Sequence, residues 1–393
     1  MTDKANEIAK MCGIYHSTAS VLTIVAANAP KVDHGFLEPR VGALDLVLMS
    51  IPYSCPDGVL GKVDIYWVYP YSPQAEPVNS RAWTLQEGML SHRILSFTSR
   101  QLRWKCNTTE YLDGGFDQVS DGMPSIPNNA DRFFHSQWEN ILNIYCNRDI
   151  SDESDVLSAF GGIAEQISKN CGLHYIAGLW VEFLEAGLCW KRVSYKNRRV
   201  PQKYLAPSWS WASMGNTSCR EDLADDMLSD FYHDLRFSDS FRPKDNLVAS
   251  CIKLLDVRVL PACGISPFGS VQDGTLNLSG PMRQATPLSL MPSPLQSGDH
   301  SHEGHCGDPP ATISAFADSV VDCNKVDGKI WMLYVQRGHD SRWAQGLLLT
   351  PLSKDGEVFF RRVGYFSISC YIIDHHKPVS VLQDTEMQTV TII

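Results

Sequence analysis

The chain has 393 residues, which at roughly 150 residues per domain is enough for two or three domains. Hydrophobic residues make up 44% and charged residues 20%, the usage of globular proteins rather than of disordered or fibrous ones. Lys and Arg total 34 against 44 Asp and Glu, and the net charge of −10 argues against a nucleic-acid partner because phosphates would be repelled. No run approaches the roughly 18 apolar residues of a membrane helix, so no membrane span is expected.

Targeting and metal signals are weak in this sequence. The first ten residues are charged and lack an apolar stretch, so we expect no secretory signal and a cytoplasmic protein. Twelve cysteines are scattered without a Cys-x-x-Cys pair, which favours reduced, buried thiols over disulfides or a zinc site. The tract His300–Cys306 has the composition of a metal site, but it lies among Ser, Gly and Pro and is more typical of a solvated loop.

Up to about residue 125 the sequence predicts alternating helices and strands. Apolar residues at helical spacing over Asp3–Tyr15 predict an amphipathic helix. The β-branched run Val21–Ala26 is apolar on both parities and predicts a strand buried on both sides of a parallel sheet. The later elements are expected to be strands at 41–49 and 63–69, a helix over Arg81–Ser91 capped by Ser80, and a hairpin between Ile94 and Cys106.

The rest of the chain divides into a helical part, 126–205, and a β-rich tail, 206–393. Three apolar stripes between Phe134 and Trp190 have helical spacing. In Ser208–Trp211, small polar and aromatic residues alternate, which in a strand would put both indoles on one face. We expect them to pack against the helical part, with a binding surface as the alternative. Residues 282–311 are rich in Pro, Ser, Gly and His and are expected to form a disordered insertion. The predicted β runs of the tail are 248–260, 274–279, 328–336, 345–350 and 357–374.

The most distinctive pattern lies between Ser80 and Cys106. It consists of an Arg-x-Trp-Thr-x-Gln-Glu helix, a Leu-Ser-x-Arg link and a strand that ends in Trp-x-Cys. This pattern resembles the last block of the fungal heterokaryon-incompatibility (HET) domain. The residues that carry the resemblance here are Arg81, Trp83, Thr84, Gln86, Glu87, Arg93 and Trp104.

Other segments extend the resemblance over most of residues 5–215, in the same order as in that family. They include Ala9–Tyr15, Leu22–Ile24, Gly35–Leu37, Ala177–Trp180 and Ala206–Ser213. One departure matters: the Leu-Ser-Tyr-x-Trp-Gly strand and the following Asp-x-x-Cys-Ile-x-Gln strand of HET domains do not occur. We therefore expect a partial HET domain over 1–125 that lacks its first strands, through either a short gene model or a natural truncation.

The resemblance implies a partial α/β domain of TIR-like, HET type, followed by the helical and β-rich parts. It also implies a signalling or toxic effector module in fungal non-self recognition and regulated cell death. The expected partners are proteins of the incompatibility pathway, with self-association as a further alternative.

Glu87 is the candidate for chemistry in the helix. At 3.6 residues per turn Trp83, Glu87 and Leu90 share one face, so we expect Glu87 to point toward the apolar side. Burial raises the pKa of a Glu and a neighbouring Arg lowers it; Arg81 and Arg93 are the nearest cations in sequence. The sequence leaves open which effect prevails.

Two readings of this helix remain open. NAD-cleaving TIR domains use a glutamate on a Ser-x-Trp-x-x-x-Glu-like helix; by that resemblance Glu87 would hold the ribose hydroxyls or stabilise the cationic sugar, and Trp83 would stack on a base. NAD would then be a substrate, and no cofactor is implied. In the structural reading, Glu87 pairs with an arginine and pins the helix to the sheet, with Trp83 in the core.

At the level of the whole chain, three alternatives follow. The chain is an NAD glycohydrolase, a binding and assembly module, or an inactive relic with an exposed sheet edge. The missing front strands favour assembly over enzymatic activity, because related nucleotide pockets are built partly from the loop after the first strand.

Overall fold

The structure is a computed structural model with mixed α/β content and several separate sheets. Two compact units divide the chain: the N-terminal unit is Lys10–Ile126, and the C-terminal unit is Pro127–Ile393 together with Met1–Ala9. The structure describes residues 2–16, 22–31, 33–37, 47–66, 76–113, 123–130, 137–192, 201–215, 235–236, 248–262, 264, 266–285, 311–318, 330–339, 343–370, 382 and 385–393.

The N-terminal unit contains a sheet in the order β1-β4-β5-β6. Strand β1 runs parallel to β4, and the other neighbours are antiparallel. Helix α1, predicted over Asp3–Tyr15, is confirmed and extends into this unit. The helices and strands are α1 (Thr2–His16), β1 (Thr23–Val25), β2 (Val47–Ser54), β3 (Leu60–Tyr66), α2 (Ala82–Leu90), β4 (Arg93–Phe97), β5 (Leu102–Cys106) and β6 (Glu110–Leu112).

Strand β1 confirms the predicted parallel pairing but not the predicted burial. Ile24 is 61% exposed, and among the described strands β1 pairs only with β4, at the end of the sheet. An apolar, β-branched composition shows only that the side chains fit the pleated surface of a sheet. Burial on both sides also requires another layer packed on each face of the sheet. The expectation of a strand buried on both sides is therefore wrong for this segment.

Strands β2 and β3 form an antiparallel hairpin whose positions differ from the prediction. Residues 41–46 and 67–69 of the two predicted strands lie outside the described residues. The register pairs Met49 with Ile65 and Ile51 with Val63, on one face of the hairpin. All four side chains are exposed, so the alternation at Val63 and Ile65 predicts the strand correctly without indicating burial.

Helices of the C-terminal unit enclose an aromatic core. Helices α3 (Glu139–Cys146) and α4 (Ser158–Cys171), with the residues just before each, bury the described residues of the first two predicted stripes, which confirms these parts. Phe134, the first residue of the first stripe, lies outside the described residues. Trp138 contacts Phe160 and Trp180 edge to face, with ring centroids 5.5 and 5.4 Å apart. Such contacts add to the apolar area that these large rings bury.

The third predicted helical stripe is wrong in its first half. Strands β7 (Tyr175–Ile176) and β8 (Leu179–Trp180) form a tight hairpin there, and helix α5 (Leu184–Leu188) follows. The two turn residues, Ala177 and Gly178, both have positive φ, which this kind of hairpin turn requires. A Cβ on Gly178 would lie 2.8 Å from the Trp211 indole nitrogen, so tertiary packing also selects glycine.

The Ser208–Trp211 segment is a turn leading into a short 3-10 helix and not a strand. Its two indoles are nevertheless buried, as expected. The Trp211 indole N–H donates to the Gly178 carbonyl at 2.7 Å, and the Ser210 hydroxyl donates to the Ala177 carbonyl at 2.5 Å. These bonds join the segment to the hairpin turn.

The C-terminal unit ends in a β-rich part, as predicted. Its strands pair mostly antiparallel. In the described residues its largest sheet has eight strands, and the pairings β15-β16-β17-β18-β13-β15 close into a ring. The prediction missed β14 and β18. Strands β9 and β10, the first two of this part of the chain, pair with each other outside this sheet. The strands are β9 (Lys191–Arg192), β10 (Leu235–Arg236), β11 (Val248–Ser250), β12 (Lys253–Pro261), β13 (Val271–Ala285), β14 (Ala311–Ala317), β15 (Ile330–Gly338), β16 (Trp343–Lys354), β17 (Glu357–Cys370) and β18 (Glu386–Ile392).

The ends of the predicted insertion 282–311 need correction. Strand β13 continues through residues 282–285, which pair with β15, and β14 begins at Ala311. Residues 286–310, including the His300–Cys306 tract, lie outside the described residues. In the described part of the chain, no helix is long and apolar enough to cross a membrane.

A buried arginine of β17 joins this strand to the end of β14 and to the helical part of the C-terminal unit. The Arg362 guanidinium donates to the Asp318 carboxylate at 3.0 Å and to the carbonyls of Leu188 and Trp190 at 2.6 and 2.5 Å. It also stacks 3.4 Å above the Trp190 ring centre. Each charged donor therefore has an acceptor, which offsets the cost of burying the charge.

Candidate functional site

An open cleft lies in the N-terminal unit, between helix α2 and one face of the sheet. The space that it encloses is about 70 Å³, and the cleft is otherwise open to solvent. The sheet register builds its floor from two rows: Val25, Ser96 and Arg103 lie side by side, and Ile94 lies beside Lys105. The wall comes from the 3-10 helix Pro77–Ser80, α2 and their neighbours, and its lining residues are Glu76, Val78, Asn79, Thr84, Glu87, Gly88 and Met123.

Helix α2 places Glu87 at the edge of its buried face, on the cleft. The most buried residues of α2 are Ala82, Leu85, Gln86 and Leu90. Successive residues on a helix are about 100° apart, so Glu87 follows Gln86 around toward the cleft and is half-buried. The prediction that Glu87 shares the apolar face is therefore correct only in part.

Burial decides the ionisation of Glu87. It raises the pKa of the Glu87 carboxyl above its usual range, while a hydrogen bond from the Tyr15 hydroxyl and the positive charge of Arg81 oppose the rise. The pKa of Tyr15 is raised as well, by burial and by the neighbouring Glu87 charge. The sequence left open whether burial or an arginine prevails, and the net shift is upward.

Arg81 and Thr84 shape the start of α2. Arg81 is exposed, occupies the N-cap position that the sequence assigned to Ser80, and donates to the Pro30 carbonyl at 3.1 Å. The Thr84 hydroxyl lines the cleft and lies 2.6 Å from the Val78 carbonyl and 2.8 Å from that of Arg81. Thr84 thus fixes the junction between the 3-10 helix and α2.

The remaining predicted residues lie outside the cleft lining. Trp83 is half-buried and is not among the described residues that line the cleft. Its predicted stacking on a base bound in the cleft is therefore not supported. Gln86 is buried and its side-chain amide donates to the Met11 sulfur at 3.7 Å. Arg93 is exposed; it is the first residue of β4 and is paired with Cys106 of β5. Trp104 alternates with Arg103 and Lys105 along β5 and therefore faces the other side of the sheet.

Several cleft residues were missed at the sequence level. Glu76 is 3% exposed, and one of its carboxylate oxygens accepts from the Ser99 amide and hydroxyl at 2.9 and 2.7 Å. Arg103 pairs with Glu110. The Arg-x-Lys alternation of β5 was a readable signal for two cations on one sheet face. Glu76 had no local signal, because tertiary contacts bring it to the site.

The cleft combines two carboxylates, two cations and hydroxyl groups on a partly apolar floor. This donor set suits a small polar ligand that carries both anionic groups and hydroxyls, because cations bind phosphates and carboxylates accept from hydroxyls. In the described part of the chain no group of three or more His, Cys, Asp or Glu side chains could hold a metal ion. Seven of the cysteines described there are free thiols, but only Cys12 and Cys189 among them are buried, so the predicted burial is wrong for the other five.

Comparisons with known proteins add no relative: no protein-family model, no curated protein and no solved structure matches the chain.

Proposed function

We propose that this chain is a HET-type protein of fungal non-self recognition, and that its N-terminal unit is a signalling or toxic effector module of regulated cell death. The proposal includes a partial TIR-like, HET-type α/β fold for that unit, action in the cytoplasm, and protein partners of the incompatibility pathway. It rests on the order of the resembling segments in the sequence.

One structural observation supports the proposal. Of the segments that carry the resemblance, β1 is far in sequence from the consecutive elements α2, β4 and β5, but it pairs with β4 and lies with them in one unit. Together they form most of the cleft that contains Glu87 and Thr84. Clustering of the motif around one concave surface is more typical of a functional site than of packing alone.

Controlled expression tests the effector role. The full chain is placed under an inducible promoter in a filamentous fungus, and growth and membrane integrity are followed after induction. The proposal predicts growth arrest with dye uptake by dying cells. Normal growth, with the full-length protein verified by immunoblot, would contradict it and would favour the inactive relic.

A candidate mechanism is the cleavage of NAD, favoured by Glu87 in a cleft beside two cations. As the bond between the sugar and nicotinamide breaks, the Glu87 carboxylate would stabilise the cationic sugar, and Arg103 and Lys105 would hold the phosphates. Water then adds to the sugar carbon and loses a proton, which yields free nicotinamide and ADP-ribose.

This mechanism is tested by incubating the purified chain with NAD and measuring nicotinamide by chromatography. Glu87→Gln should lower the rate at least 100-fold, as expected when a charge-stabilising group is removed. The exposed Glu357→Gln variant is the control and should retain the wild-type rate. If concentrated wild-type protein releases no nicotinamide, the enzyme mechanism fails while the effector role stands.

A second candidate function is assembly, favoured by the exposed apolar face of the β2–β3 hairpin. Met49, Ile51 and Val63 are 50, 42 and 49% exposed on that face. Exposed apolar surface of this kind marks interaction sites. Sedimentation velocity should show concentration-dependent association of the wild type, and Ile51→Lys should abolish it. Ser54→Lys, on the opposite face of the hairpin, should leave the association unchanged. A wild-type protein that is monomeric at all concentrations would contradict the assembly function.

A further inference from the structure

We propose that Met123 determines which ligands the cleft accepts: its side chain limits the size of the group that can bind beside Glu87. This inference rests on the proposed function of the cleft and deepens it. Met123 and Glu87 both line the cleft and both belong to the N-terminal unit, but Met123 lies outside the motif that pointed to Glu87.

One side of helix α2 faces the cleft. Thr84, Glu87 and Gly88 are spaced three and four residues apart, so they lie on the same side of the helix, and all three line the cleft. Glu87 and Gly88 form the part of this side that is nearer the end of α2. A side chain that packs against Gly88 therefore lies next to Glu87 on the wall of the cleft.

The side chain that packs against Gly88 is Met123. A Cβ added to Gly88 would overlap the Met123 methyl group, and outside α2 no other atom of the described residues would come within 4 Å of that Cβ. The Met123 methyl group therefore occupies the place that a side chain at position 88 would take. Nothing else in the described residues fills that place.

This contact, and not the backbone conformation, explains the glycine at position 88. Gly88 lies inside α2 and is not among the residues with positive φ, so other residues could adopt its conformation. Glycine destabilises a helix relative to alanine, because it loses more conformational freedom on folding. At this position the glycine leaves room for the Met123 methyl group.

Met123 is suited to act as an adjustable wall. A methionine side chain has three rotatable bonds and a polarisable sulfur, so it fills irregular gaps and adapts to its neighbours. The cleft encloses only about 70 Å³, so one apolar side chain next to Glu87 takes up space that a ligand would need. Shortening Met123 should therefore admit larger groups beside Glu87, whereas groups that already fit should be affected little.

The direct test measures which reagents reach position 87. In a Glu87→Cys variant of the full chain, the new thiol is reacted with methyl methanethiosulfonate or with the larger benzyl methanethiosulfonate. Mass spectrometry follows modification of the peptide that contains residue 87. Adding Met123→Ala should speed the reaction of the benzyl reagent by about tenfold or more, and that of the methyl reagent by less than about twofold. The control Met387→Ala, which shortens an exposed methionine of the C-terminal unit, should change neither rate.

Two results of this experiment would overturn the inference. A benzyl rate that Met123→Ala leaves unchanged would show that Met123 does not limit access to position 87. Equal acceleration of both reagents would show a general loosening of the fold instead of a limit on size.

A double-mutant cycle covers the case in which Glu87→Cys does not fold. Gly88→Ala should raise the thermal unfolding midpoint in the Met123→Ala background, where the helix gains an alanine without a clash. In the wild type it should lower the midpoint or leave it unchanged, because the added methyl group overlaps that of Met123. An equal rise in both backgrounds would overturn the contact on which the inference rests.

These tests separate the inference from the proposed function, because they need neither NAD nor living cells. A size-dependent effect of Met123→Ala supports the inference even if induced cells grow normally, and its absence removes the inference even if they die. If the chain cleaves NAD, Met123→Ala should raise the rate for an analogue with 3-benzoylpyridine in place of nicotinamide by about tenfold relative to NAD. An unchanged ratio would contradict the role of Met123.

Discussion

The two units of the chain bury their apolar residues to very different extents. The C-terminal unit fully buries five tryptophans and satisfies an internal charge pair, whereas the buried apolar residues described in the N-terminal unit are few, and half of them are Ala or Cys. Most of the exposed large apolar side chains in the described residues belong to the N-terminal unit, among them Ile24 and Leu60. The candidate site lies in the unit with the smaller core.

From this difference we expect the stability of the chain to reside mainly in the C-terminal unit and its function in the N-terminal unit. Binding and catalytic residues commonly lie on elements that are easier to open, while the global stability resides in the packed core. We therefore expect substitutions in the C-terminal unit to change the free energy of unfolding, and substitutions around the cleft to change activity. The following predictions test that division, from the largest expected effect to the smallest.

Arg362→Ala should destabilise the C-terminal unit by about 3–5 kcal/mol, because it leaves the buried Asp318 charge without its partner. Urea unfolding followed by tryptophan fluorescence measures the loss. The matched control is Arg258→Ala, whose ion pair with Asp256 is exposed and should contribute less than about 1 kcal/mol. Similar losses in both variants would show that the buried pair is not a structural tie.

Leu347→Ala should cost about 2–5 kcal/mol, because the side chain is fully buried in strand β16 and its removal leaves a cavity. The same change of size at the other unit's sheet edge, Ile24→Ala, should cost less than about 0.5 kcal/mol, since Ile24 is mostly exposed. Denaturant unfolding with probes in each unit measures both. A large loss from Ile24→Ala would mean that the edge strand is covered in solution.

Glu87→Gln should leave stability unchanged or slightly raised at neutral pH. The pKa of Glu87 is raised by burial, so the folded state binds more protons than the unfolded state between the two pKa values, and stability falls as pH rises through that window. The variant should exceed the wild type by no more than about 1 kcal/mol at pH 7, because Glu87 is partly solvated. The difference should vanish below the ordinary Glu pKa of about 4.3. Thermal unfolding across pH checks this; a variant that is less stable at pH 7 would reverse the sign.

Sequence patterns predicted the elements better than their surroundings. Helical stripes such as Val156, Phe160 and Ile163 identified a buried helix, because amphipathic periodicity reports directly which face meets the core. The strands Thr23–Val25 and Leu60–Tyr66 were predicted near their positions, but the burial predicted for the first of them was wrong. An apolar strand pattern shows that a residue fits a sheet, and whether another layer covers it depends on distant parts of the chain.

The candidate site was predicted only in part, from local sequence patterns. Glu87 and Thr84 follow from a short helical motif and do line the cleft. Glu76 reaches the same place only through folding, and Tyr15, from the separate resembling segment Ala9–Tyr15, lies close enough to Glu87 to oppose the rise in its pKa. Periodicity assigned Trp104 to a strand, but the pairing of β5 in the sheet decides that its neighbours Arg103 and Lys105 face the cleft.

The most direct test of the central claim, that the chain acts through the Glu87 cleft, compares variants in the induced-expression experiment. Wild type, Glu87→Gln and the exposed control Glu357→Gln are expressed at equal levels, and the fraction of dying cells is counted. We predict that Glu357→Gln kills like the wild type and that Glu87→Gln, which should fold at least as stably, kills few cells. Undiminished killing by Glu87→Gln would contradict the account.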